Sequence, residues 1–154
     1  MKIFSFYKIE RIKNLKSLKI KIIKEIQKNN IKGLVILSKE GINATIAGNS
    51  KDISNIVKYI KLILNIKKFD IENITYSSFI PFLKAKVKIK NEVVPMDYNF
   101  SFKNKITKNY LSPKKWDNLL SQKNVKIVDA RKPFEYEVGT FKGAINPNTY
   151  NFRE

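Results

Sequence analysis

An α+β fold is predicted by three features of the sequence. Extended segments rich in β-branched and aromatic residues alternate with two amphipathic, lysine-studded segments over the first 95 residues, a fresh helix signal opens at Ser112, and most of the basic excess lies before it. The 154 residues can hold one ordinary domain and part of another, since domains most often run ~100–150 residues. With 43% hydrophobic and 12% aromatic residues there is enough apolar material for a real core, while 29% charged residues demand an ionised surface.

Ile3 to Ile9 has strand composition. Ile12, Leu15, Leu18, Ile22 and Ile26 recur at helical spacing with Lys13, Lys16, Lys19 and Lys24 between them, which predicts an amphipathic helix ending near Asn29-Asn30. Gly33–Ser38 and Ile42–Ala47 read as a hairpin around Lys39-Glu40-Gly41-Ile42-Asn43, where Gly41 is free to adopt positive φ and Asn43 can bond its own backbone. Ser50 is the expected N-cap of a second helix carrying Ile53, Ile56, Val57, Ile60, Ile63 and Leu64 on one stripe. Strand composition returns over Ile71–Ser78 and, beyond Pro81, over Leu83–Val94. The order β-α-β-β-α-β plus one strand predicts a ferredoxin-like domain over residues 1–95, with two helices on one face of an antiparallel sheet.

Residues 96–111 read as a linker. Ser112-Pro113 then supplies a cap and a first helical residue, Trp116, Leu119 and Leu120 a buried stripe, and Val125–Val128 a following strand, with a second short strand near Ala144–Asn146. Residues 1–96 carry 20 basic and 7 acidic groups against 11 and 6 in residues 97–154, so the net charge of +18 belongs mainly to the first domain. Two causes are open. Such an excess fits a nucleic-acid partner, but only Arg11, Arg131 and Arg153 are arginines, and the abundance of Lys, Ile and Asn also fits an A/T-rich coding bias.

The sequence contains no cysteine and no histidine, which removes disulfides, thiolate nucleophiles and the commonest metal ligands; a metal site is not expected. No apolar run approaches the length of a membrane span and the N-terminus forms no signal-peptide core, so a cytoplasmic location without membrane attachment is expected.

In a strand, Lys84-Ala-Lys-Val-Lys-Ile-Lys90 places its four lysines on one face and Ala85, Val87 and Ile89 on the other. Lys84, Lys86, Lys88 and Lys90 are therefore candidates for tracking an RNA backbone, with Phe4, Phe6 or Tyr7 as stacking partners, although no RNA-recognition-motif signature is present. A lysine row also keeps an exposed strand from aggregating, and that alternative is open. Glu40 is conceivable as a catalytic group but sits in an ordinary charge-glycine turn. Asp129 and Arg131 follow a strand, with Glu135 four residues after Arg131, placed to pair with it and fix the loop. Gly139 and Gly143 fit tight turns rather than a phosphate loop.

Val125-Lys-Ile-Val-Asp-Ala-Arg131, Glu135-Tyr136 and Gly139-Thr-Phe-Lys-Gly-Ala-Ile-Asn-Pro147 resemble the opening of a rhodanese-like domain. Together with Gly33–Asn43, Thr45, Gly48, Leu83–Val94, Tyr110-Leu-Ser-Pro113, Trp116 and Phe152-Arg-Glu154, they make the chain similar to the rhodanese-related bacterial tRNA uridine hydroxylase family over essentially its whole length. One departure is Ala44, where the family has glycine in an Asn-Gly-Thr run.

The resemblance implies a ferredoxin-like domain followed by an incomplete rhodanese-like α/β segment over 112–154. It further implies an activity that hydroxylates the wobble uridine of tRNA to 5-hydroxyuridine, with molecular oxygen as co-substrate and tRNA as partner. The family's rhodanese domain carries a catalytic cysteine in a later loop, which these residues lack. No catalytic residue is therefore assigned. The chain is expected to be an N-terminal portion, inactive alone, that needs a complementary C-terminal portion; Asp129, Arg131 and Glu135 would be structural members of the rhodanese motif. A stand-alone basic RNA-binding module and a sulfurtransferase remnant are the alternatives, the second disfavoured by the missing cysteine.

Overall fold

The computed structural model describes residues 1–93 and 111–151, which belong to two compact units. The first unit runs β1 (Lys2–Ile9), α1 (Leu15–Lys28), β2 (Lys32–Ser38), β3 (Gly41–Gly48), α2 (Ser50–Ile63), β4 (Ile71–Tyr76) and β5 (Ala85–Ile89). The strands form one sheet in the order β4-β1-β3-β2-β5, antiparallel except for the parallel pair of β2 with β5. This is the expected ferredoxin-like arrangement with an added edge strand. Among the described residues no helix is long and apolar enough to cross a membrane.

Strand alternation sends one set of side chains under the helices. Phe4, Phe6, Val35, Leu37, Ile42, Ala44, Ile46 and Val87 meet Leu18, Ile22 and Ile26 from α1 and Ile53, Ile56 and Ile60 from α2 in one core. Phe6 stacks on Phe69 with ring centroids 4.2 Å apart. Ala44 is buried directly opposite Phe6 and Val35, so its methyl group fills core space. Phe4 and Phe6 are thus core residues and cannot serve as stacking platforms.

Several local expectations shift by a residue or two. Asn49, not Ser50, is the N-cap of α2: its backbone is extended and its Oδ1 accepts from the Asp52 amide at 2.9 Å. Helix α1 starts at Leu15, and Ile12 is buried ahead of it. The hairpin turn is only Lys39-Glu40, with Ser38 paired to Gly41, so Asn43 lies within β3 and the side chain that bonds the turn is Ser38, whose Oγ accepts from the Glu40 amide at 3.1 Å. Gly41 is required by close approach, since a Cβ there would stand 2.1 Å from the Lys8 carbonyl oxygen. At Gly33, with φ +130°, a Cβ would stand 2.2 Å from that of Thr45.

The second unit holds α3 (Pro113–Leu120) and α4 (Pro133–Val138). Ser112 caps α3 as expected, but no α3 residue is buried; Trp116 meets Phe141 edge-on at 5.7 Å while remaining 36% exposed. The strand expected over Val125–Val128 is reduced to one parallel bridge, Val128 to Ile145, closed by Asp129 N–H to Ile145 O and Ile145 N–H to Ile127 O, each 2.9 Å. A parallel strand needs neighbours and covered faces. Val128 is instead 62% exposed. The linker expected over 96–111 lies outside the described residues, save Leu111.

Candidate nucleic-acid interface

The pairing register carries the lysines of β5 onto the sheet face opposite the helices. Leu34 is level with Lys86 and Ile36 with Lys88, while Val87 turns inward and is 6% exposed. The ladder runs past both strand ends, with Gly33 N–H donating to Lys84 O at 3.2 Å and Lys90 N–H to Leu37 O at 2.9 Å. Lys84, Lys86, Lys88 and Lys90 are all exposed. Successive members of the row stand roughly 6.6 Å apart along an edge strand.

Two rows cross this open face completely: Asn73, Ser5, Thr45, Leu34 and Lys86, and beside it Ile71, Tyr7, Asn43, Ile36 and Lys88. Ser5 and Thr45 join their hydroxyls at 3.0 Å in the middle. The strands place no acidic side chain on this face. Their only carboxylate, Glu72, points to the helix side and pairs with Lys61 of α2 at 2.9 Å. Asp70, just before β4, accepts from Lys8 Nζ at 3.0 Å and from the Ile9 amide at 2.9 Å. Glu40 is likewise engaged, its Oε1 accepting from the Val93 amide at 2.7 Å, which gives it a structural use. Among the described strand residues Tyr7 is the one aromatic on the open face, and burial, then Asp70 and Glu40, push its phenol above the usual range, so it stays protonated at neutral pH.

A cleft of about 1100 Å³ opens at one end of the sheet, bordered by Arg11, Lys13, Lys16 and Lys39 beside Glu40. Sequence reasoning did not find it. These residues come from the β1–α1 loop, the first turn of α1 and the hairpin turn, and only the three-dimensional structure brings them together.

In the second unit Asp129 organises the loop. It accepts from Arg131 through its backbone N–H at 3.1 Å and through Nε and Nη2, and from Thr140 Oγ1 at 2.8 Å. Arg131 Nη2 also donates to Gly139 O at 2.6 Å, and Asn146 Nδ2 to the carbonyls of Asp129 and Arg131 at 2.8 Å each. Arg131 therefore pairs with Asp129 rather than with Glu135, whose carboxylate faces the Lys132 amide at the start of α4, 3.4 Å away. A carboxylate so fully occupied by donors frames a loop and has no lone pair left for acid-base work.

The Arg131 and Thr140 hydrogen bonds hold the Asp129 carboxyl well below the usual carboxylate range. A depressed folded value contributes stability that is complete above the unfolded value, about 3.9, and is lost as pH falls through the folded one. Fluorescence of Trp116, the sole tryptophan, is expected to stay flat from pH 7 to about pH 4 and to change only below that. Asp129→Asn should shift the spectrum at neutral pH and flatten the acid transition; identical acid profiles would contradict this role.

The family model described as the UPF0176 acylphosphatase like domain matches residues 1–93. The tRNA uridine(34) hydroxylase of Pelagibacter ubique (strain HTCC1062) is 51% identical over 152 residues, covering 99% of this chain and 50% of the relative. That of Legionella pneumophila (strain Paris) is 38% identical over 152 residues, covering 99% of this chain and 59% of the relative. The chain thus spans about half the length of the former and somewhat more of the latter. Among solved structures, acylphosphatase from Bacillus subtilis aligns with a TM-score of 0.43 at 14% identity, over 58% of this chain and 99% of that one.

Proposed function

This chain belongs to the UPF0176 acylphosphatase like domain family, and from that premise we propose that it is the RNA-holding N-terminal portion of a tRNA uridine hydroxylase. The observation that carries the reading is the segregation of charge on the first unit, with four exposed lysines along β5 and, among the described strand residues, no carboxylate on the open face. Lysine meets phosphate as a point charge, and such a row holds a backbone without reading sequence. The relatives' names supply the substrate, uridine 34 of tRNA, and the cytoplasm is where the chain would meet it.

The hydroxylation itself, with molecular oxygen as co-substrate and 5-hydroxyuridine as product, is assigned to residues this sequence does not contain. It has neither cysteine nor histidine, and the Asp129 cluster is spent on loop structure. The second unit presents Val128, Phe134, Val138 and Ile145, each more than half exposed, around a single bridge. Further strands of a rhodanese-like domain would cover them.

Two assays test the reading together. The 154-residue chain alone should bind tRNA yet leave its nucleosides unchanged. Joined to the C-terminal half of the Pelagibacter relative, it should produce 5-hydroxyuridine, detected by mass spectrometry of tRNA digests. No tRNA binding, or no product from a folded chimera, would sink the proposal.

A further inference from the structure

We infer that the open sheet face takes unpaired RNA, with phosphates along the β5 lysines and a base stacked on Tyr7. This rests on the RNA-holding reading above and names the form of RNA bound.

The distribution of chemistry across the face carries the inference. Cations border it on the β5 side and Lys32 adds one at the start of β2, but between the β5 lysines and β4 the two complete rows are neutral: Leu34 and Ile36 on β2, Asn43 and Thr45 on β3, Ser5 and Tyr7 on β1, Asn73 on β4. A duplex turns its bases inward and offers phosphates and ribose along both strands, so it would meet positive charge at one border and apolar or amide groups elsewhere. A single strand has two unlike sides, a charged backbone and a row of bases with flat apolar faces and hydrogen-bonding edges. That polarity matches lysines on one side and an aromatic ring, amides and hydroxyls on the other.

The dimensions agree. Three strand spacings separate β5 from β1, roughly 14 Å, a gap that one lysine side chain and one nucleotide span together. The lysine repeat along β5 is on the scale of successive phosphates in an extended single strand. Tyr7 is half-buried between the uncharged Asn43 and Ile71, which holds its ring in place, and the carboxylates that act on its phenol, Asp70 and Glu40, lie outside the strands. Asn43 and Asn73 flank Ser5 and Tyr7 with donors and acceptors fit for base edges. One aromatic platform predicts modest, sequence-tolerant binding.

The test uses the 154-residue chain with two fluorescent probes, a ten-nucleotide oligouridylate and an RNA duplex of equal length. The single strand should bind more tightly. Tyr7→Leu should weaken it roughly tenfold without altering the salt slope, and Tyr7→Phe, which keeps the ring, should restore it. Equal or tighter duplex binding, or a neutral Tyr7→Leu, overturns the inference while a lysine-dependent salt slope leaves the RNA-holding reading standing. Absence of that slope for both probes removes the reading and the inference together.

Discussion

Truncation of Phe6 to alanine is expected to cost the first unit about 3–5 kcal/mol. The side chain is 2% exposed and packs beside two other rings, Phe69 at 4.2 Å and Phe4 at 5.5 Å between centroids, in the sheet-to-helix core that also holds Ile22, Ile26, Ile53, Ile56 and Ile60. Small domains hold only ~5–15 kcal/mol in total, which makes this loss a large fraction of their stability. In urea, followed by far-ultraviolet circular dichroism, the midpoint should fall by about 2 M for a slope near 2 kcal/mol/M. A loss under about 1 kcal/mol would show that β1 is not where the core is anchored.

Most of the first unit was legible in the sequence because its elements obey simple periods. The helical stripe at Leu18, Ile22 and Ile26, the alternation of Lys84–Lys90 and the hairpin around Glu40-Gly41 each depend on neighbours in the chain. What escaped depends on partners far away. Whether Phe6 or Tyr7 faces the core is set by pairing register with β3 and β4, and alternating aromatics alone do not choose between them. The capping role passed from Ser50 to Asn49 because both are good caps and the turn geometry decides. Arg131 found Asp129 two residues back rather than Glu135 four residues on, since the segment between them enters α4 only at Pro133 and Glu135 is used at that helix's start. The cleft beside Arg11 and Lys39 joins residues 28 positions apart and has no local signature.

Changing Lys84, Lys86, Lys88 and Lys90 together to glutamine is expected to weaken tRNA binding on the order of 100-fold at 0.1 M salt. Each phosphate neutralised by a lysine releases counterions worth about 0.7 in the slope of log K against log salt for a single strand. Losing four contacts should therefore flatten the slope by about 3. All four side chains are exposed, so folding should change little. Because β5 is an edge strand, the same lysines also discourage strand-to-strand association. The two roles separate cleanly in dilute solution, where a purely protective row would leave affinity unchanged. The deciding measurement is fluorescence anisotropy of labelled tRNA titrated with the unaltered chain and the four-lysine variant, both verified monomeric, across a salt series. A slope reduced by about 3 is the predicted result; parallel lines with equal affinity would contradict the assignment of this face to RNA.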